Sequence, residues 1–299
     1  RLTVRSFRRV PQTVEVTLAQ ADLVQDFVLE PTEGDLLLID DTPRDRGPRP
    51  AKLYKDRVEL APAYEAPYCR TVDDMVTDLE TAGYTVTVEL SSDTNPAAWF
   101  DYDALVVACG DNLSPLSNAT LRSNLRSFAN AGYKLLLEGG ELAYDMAYQD
   151  PSFLAQVLHV DDWGTDSAGD VTVVDPAHWV MSVPNTVTGP IEVAYTGYGD
   201  SDSVTPTADA DGPGSWTNRP SEASVVCYDP DDVPSGGQIV FLAFNYGAAA
   251  AGPRELLLHN AVNWLIAPEA GDASIAGTVT LSGQADHSGT TVTLSPVWT

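Results

Sequence analysis

Acidic side chains gather where apolar runs end. Asp40-Asp41 closes one such run, Asp111 follows a second, and Glu138-Gly139-Gly140-Glu141 follows a third. Converging carboxylates repel one another, so a set of them either raises its members' pKa values or holds a cation. A divalent ion held by Asp40, Asp41, Asp111, Glu138 and Glu141 would polarise a substrate oxygen, and the chemistry would be metal-assisted hydrolysis. The same residue types also cap helix N-termini and turns, which accounts for most of them one by one. A second acidic group lies in Gly-rich, Asp-rich stretches. Its members are Asp161, Asp162, Asp166 and Asp170, then Asp200, Asp202, Asp209 and Asp211, then Asp229, Asp231 and Asp232. Alternating Asp residues can supply calcium with oxygen ligands, although no run has the EF-hand spacing with its final Glu. A solvated loop is the plainer reading of each.

Other reactive types are sparse. Cys69, Cys109 and Cys227 lie far apart with no CxxC pair, which argues against a thiolate zinc site. Their odd number leaves room for one disulfide or none. Cys109, beside Gly110 at a predicted strand end, is a candidate nucleophile, but a buried free Cys more often packs as a small hydrophobe. His159, His178, His259 and His287 are scattered and lack HExxH or paired spacing. Trp163, Trp179, Tyr198 and Trp216 fall in a polar stretch, where they either stack a sugar ring or pin the loops down. Asn112 and Asn118 match N-x-S/T, a pattern short enough to recur by chance.

Composition narrows the setting. The 299 residues carry 43 acidic and 16 basic side chains, a net charge of −27. Residues 1–57 are balanced, so the whole excess falls in 58–299, and Asp outnumbers Glu 30 to 13. Without a basic stripe the chain is not built to bind nucleic acid. With 43% apolar residues and six Trp it is not generally disordered. No apolar run reaches the roughly 18–20 residues of a helical membrane span. Excess Asp suits calcium-binding extracellular loops and equally a high-salt surface. Arg1 opens the chain without a basic-then-apolar leader, so any export signal is expected outside it.

The elements that must position these residues follow from periodicity. Residues 1–31 alternate like strands, notably Thr13–Leu18 and Val24–Leu29, up to Pro31. Leu36–Ile39, Ala104–Ala108, Lys134–Leu137 and Gln238–Phe244 are continuous apolar runs, as expected for strands buried on both faces. Tyr84–Leu90 is a further strand. Val72–Ala82, Ser117–Ala131 and Pro253–Ile266 have helical spacing, and Gly83 and Gly132 stop the first two. Short helices fit Leu142–Tyr148 and Pro151–Leu158. The stretch 159–237 is looser, with short strands near Val171–Val174, Ile191–Ala194 and Ser224–Tyr228. Ile275–Leu281 and Thr290–Leu294 alternate again. The prediction is an α/β fold: a doubly wound, mostly parallel sheet over 34–266, a linker at 267–272, and β-sandwich segments at 1–31 and 273–299.

The phrases GDLLLIDD, DYDALVVACGDN, AGYKLLLEGGELAYDM, IVFLAFNYG and RELLLHNAVNWL resemble a class I glutamine amidotransferase-like domain. More narrowly they are similar to its degenerate version inside large secreted bacterial proteins. Residues 1–31 resemble the last strands of a carboxypeptidase regulatory-like β-sandwich, and ASIAGTVTLSGQADHSGTTVTL resembles the first strands of another. The resemblance implies a flavodoxin-like, amidotransferase-like fold cut from a longer multidomain chain, in an extracellular or cell-surface setting. Active members carry a Cys nucleophile on a sharp strand-to-helix turn and a His base after a later strand. Those positions are occupied here by Glu138 and Asn245. The expected role is therefore a non-catalytic structural or interaction module, stabilised by calcium if the Asp-rich loops bind it. Its expected partners are other modules of the same longer chain. Two alternatives stand: a metal-assisted hydrolase using the acidic strand ends, and a building block of a fibre or surface layer that self-assembles through terminal β segments.

Overall fold

The computed structural model describes residues 2–6, 9–14, 33–43, 71–166, 169–194, 201–230, 237–266 and 277–279. In chain order these form β1 (Leu2–Ser6), β2 (Arg9–Val14), β3 (Asp35–Asp40), α1 (Thr71–Thr81), β4 (Thr85–Leu90), β5 (Ala104–Ala108) and α2 (Ala119–Asn130). Next come β6 (Leu135–Glu138), α3 (Leu142–Gln149), α4 (Pro151–Gln156), β7 (Val160–Asp166), β8 (Val171–Val173) and α5 (Trp179–Ser182). The remainder is β9 (Asp202–Pro206), β10 (Asp211–Trp216), β11 (Arg219–Tyr228), β12 (Ile239–Leu242), α6 (Pro253–Ile266) and β13 (Gly277–Val279).

Strand β3 shows why the apolar runs are continuous. Its four central residues, Leu36–Ile39, have no exposed surface. Leu36 and Leu38 pack into one core with Met75 and Leu79 of α1 and Leu257, Leu258 and Ala261 of α6. Leu37 and Ile39 point the other way, into a second core with Leu121 and Leu125 of α2, Leu142 of α3 and Phe153 of α4. Alternate side chains of a strand face opposite sides, so a sheet covered by helices on both faces needs apolar residues at every position. The register is parallel throughout β4-β3-β5-β6-β12. All five of these strands therefore end on one edge of the sheet.

The sheet does not stop there, and it is not mostly parallel. Strands β11, β10 and β8 continue it beyond β12 in antiparallel register. Strand β9 pairs with β11 and β7 with β9, both antiparallel, which completes a mixed sheet of ten strands. The stretch 159–237 thus holds half the sheet rather than loose connections. Its signal is weak because two of its strand pairings are bulged and the outermost strand is largely solvated: β7 reads VDDWGTD, and only Val160 is buried. A strand wet on one side carries polar residues, and bulges break the alternation that marks it.

The described strands of the two termini lie in one three-stranded sheet, ordered β13-β1-β2. Leu2 pairs with Val279 and Val4 with Gly277, so strands expected in two separate sandwich halves meet within one chain. Val24–Leu29, Thr290–Leu294 and the 267–272 linker fall outside the described residues.

Candidate functional site

The Glu138-Gly139-Gly140-Glu141 turn joins β6 to α3 at the carboxyl edge of the parallel strands, and Glu138 is fully buried. Its Oε2 accepts hydrogen bonds from the backbone N–H groups of Cys109 (3.2 Å) and Gly110 (3.0 Å) at the end of β5. Its Oε1 accepts from the N–H of Tyr246, beyond the end of β12, at 2.5 Å. One carboxyl group therefore staples three strand ends. Desolvation pushes its pKa up to about 7, against the opposing pull of the Tyr246, Gly110 and Cys109 N–H groups. Gly139 belongs to the same knot, because a Cβ there would lie 2.8 Å from the Cβ of Cys109. Gly139→Ala is expected to cost about 1–3 kcal/mol by overpacking, read as a lowered urea midpoint with unchanged slope.

The later-strand position is also tied up. Asn245, nearly buried, accepts a hydrogen bond at Oδ1 from Thr71 Oγ1 (2.7 Å), the first residue of α1. Thr71 Oγ1 in turn accepts from the N–H of Gly247 at 3.0 Å. Next in line, the Tyr246 hydroxyl donates to Asp78 Oδ2 at 2.7 Å, while Arg254 lies over its ring at 4.9 Å. Arg254 of α6 pairs with Asp74 (3.0 Å) and Asp78 (3.5 Å) of α1 and donates to the Ala249 carbonyl. Burial raises the Asp78 carboxyl and the Tyr246 phenol above their ordinary values. The segment after β12 is thus locked to two helices through a side-chain network.

A further carboxylate sits in a setting its sequence neighbourhood does not suggest. Asp202, expected in a calcium loop, has no exposed surface and begins β9. Its Oδ2 accepts from the N–H groups of Ala143 (2.8 Å) and Tyr144 (3.2 Å), and its Oδ1 from Trp163 Nε1 (2.7 Å). Glu141 stands at the N-cap of α3 but makes no capping bond with its side chain. Asp202 supplies that cap from another strand, its carboxyl oxygens accepting the N–H groups at the positive end of the helix. Desolvation first, and the charge of Glu141 second, hold its pKa well above the usual carboxylate range.

Among the described residues no group of three or more His, Cys, Asp or Glu side chains is placed to hold a metal ion. Asp40 Oδ1 accepts from the N–H and hydroxyl of Thr42, and Asp41 Oδ2 accepts from the N–H of Leu116 and from Asn112 Nδ2. Asp111 and Glu141 are buried at the same sheet edge. Asp161, Asp162 and Asp166 lie on strand β7, not in a loop, and Asp200 falls outside the described residues. Asp209 and Asp211, with Asp229, line a cavity of about 430 Å3 whose aromatic walls are His178, Trp179 and Trp264. Trp216 is core, and its indole N–H bonds the Asp202 carbonyl. Trp163 packs edge-on against Tyr144. Cys109 is completely buried, and burial raises its thiol far above the ordinary value, with Asp41, Glu138 and Asp40 adding to the shift.

Neither a family model nor a curated protein matches the chain. Solved structures do resemble it at low identity. A candidate GMP synthase component from Thermoplasma acidophilum is 10% identical with a TM-score of 0.43, over 77% of this chain and 94% of that one. A candidate ThuA-like protein from Bacteroides uniformis is 13% identical with a TM-score of 0.42, over 83% and 95%. A cold-adapted β-galactosidase from Rahnella sp. R3 is 15% identical with a TM-score of 0.47, over 78% of this chain and 31% of that one. These are likenesses of architecture and say nothing of shared chemistry.

Proposed function

We propose that the chain is a non-catalytic structural or interaction module of a larger secreted or cell-surface protein, built on a degenerate amidotransferase-like α/β domain. The observation that supports this most directly is the state of Glu138. It occupies the turn where the resemblance expects a nucleophile, and its own carboxyl group consumes the N–H donors that converge there. Donors of that kind stabilise a developing oxyanion only when they are free to face it. Asn245 has no titratable proton to exchange, and its carbonyl oxygen is engaged by Thr71. Cys109 sits too deep, and its thiol too high, to act as a thiolate. The same contacts brace the sheet edge, which suits a spacer or docking module between neighbours in a longer chain.

The test is turnover. Incubated with glutamine or with peptide amides, the protein is expected to release no ammonia or amine above background. Turnover that disappears in Cys109→Ala or Glu138→Gln would overturn the proposal.

A further inference from the structure

Two Asn residues match the glycan-acceptor pattern, Asn112-Leu113-Ser114 and Asn118-Ala119-Thr120, and the fold separates them. Attachment uses the side-chain amide nitrogen, so the deciding question is what Nδ2 and Oδ1 already do. In Asn112 both are in use. Its Nδ2 donates to the Asp41 carbonyl at 2.6 Å and to Asp41 Oδ2 at 3.2 Å, and its Oδ1 accepts from the N–H of Ser114 at 3.1 Å. These bonds tie the loop after β5 to the end of β3 in a half-buried site. A sugar on that nitrogen would have to stand where Asp41 stands.

Asn118 is arranged the opposite way. It is exposed, as are Ser117, Ala119 and Thr120 around it. It forms the N-cap of α2 through Oδ1 alone, accepting from the N–H groups of Thr120 (2.9 Å) and Leu121 (3.3 Å). Among the described residues no partner engages its Nδ2. N-glycosylation leaves the amide oxygen in place, so the cap survives modification and the glycan projects into solvent from the first turn of the helix.

We infer that Asn118 is an N-glycan acceptor and that Asn112 is not. The inference rests on the secreted or cell-surface reading above, because only there does the chain meet the machinery. In the reaction Nδ2 forms a bond to the anomeric carbon of a lipid-linked glycosyl diphosphate. The carbon–oxygen bond to the diphosphate breaks, the diphosphate leaves with the electron pair, and the amide nitrogen loses one proton.

The experiment secretes the full 299-residue chain from a host with an oligosaccharyl transferase, then combines intact mass with peptide mapping. One glycan is expected, mapped to Asn118. It should be absent from Thr120→Ala, which destroys the pattern but keeps the Asn118 cap, and retained in Ser114→Ala. A glycan on Asn112, or an unmodified wild-type chain, would overturn the inference. Protein from its native cells separates the two readings. If Asn118 is modified in the glycosylating host but bare at the source, the acceptor assignment holds and the surface location is what fails.

Discussion

Glu138→Ala is expected to cost about 3–5 kcal/mol of folding stability, the largest effect of any single substitution at the sheet edge. The truncation leaves the N–H groups of Gly110 and Tyr246 without their acceptor in a fully buried site, while the Cys109 N–H keeps its bond to the Glu138 backbone carbonyl at 3.0 Å. Each abandoned buried donor costs about 1–3 kcal/mol, and the vacated volume adds a cavity term. Water entering the cavity would offset part of the sum, which is why the expected loss is less than the arithmetic total. Urea denaturation followed by tryptophan fluorescence reads the effect directly. A midpoint shift equivalent to less than about 1 kcal/mol would show that the three strand ends hold together without the staple.

What could be read from the residues, and what could not, divides by the range of the interactions. Leu36–Ile39, Ala104–Ala108 and Pro253–Ile266 are legible because burial on both faces, or helical spacing with Pro in the first turn, is written into consecutive residues. The turn at Glu138 is legible from its two glycines. Its partners are not: Cys109 and Gly110 lie 29 and 28 residues away, and Tyr246 lies 108. Asp202 is the clearest failure. Embedded in GDSDS, it has the composition of a solvated loop, yet the donors that allow it to be buried are Ala143 and Tyr144, almost 60 positions earlier, and Trp163. A buried carboxyl requires hydrogen-bond partners, and no local pattern announces partners brought by another strand and another helix. The pairing of Leu2 with Val279 lies at the far limit of the same problem. Sequence could mark both ends as strands but not as each other's neighbours.

The second large effect is a stability that declines as the solution becomes less acidic. Glu138 has a folded-state pKa of about 7 against an ordinary value of 4.5. Below pH 4.5 both states carry the proton and the contribution of the group is fully present. Between 4.5 and 7 the unfolded chain ionises while the folded chain keeps its proton, so stability falls as pH rises. Above 7 both states are ionised and the loss is complete. A pKa of about 7 in place of 4.5 corresponds to about 3 kcal/mol. Asp202, also raised, acts in the same direction, as does self-repulsion within a chain of net charge −27. The Glu138 share is therefore isolated by difference, from urea midpoints of wild type and Glu138→Gln across pH 4 to 8. The amide nitrogen of Gln would face a backbone N–H, so this variant carries a penalty that does not itself change with pH and is largest relative to wild type in acid. It has no proton to lose, so its profile should be flatter than the wild type by about 3 kcal/mol between pH 4.5 and 7. Parallel profiles would mean that the three N–H donors outweigh burial and keep Glu138 ionised throughout.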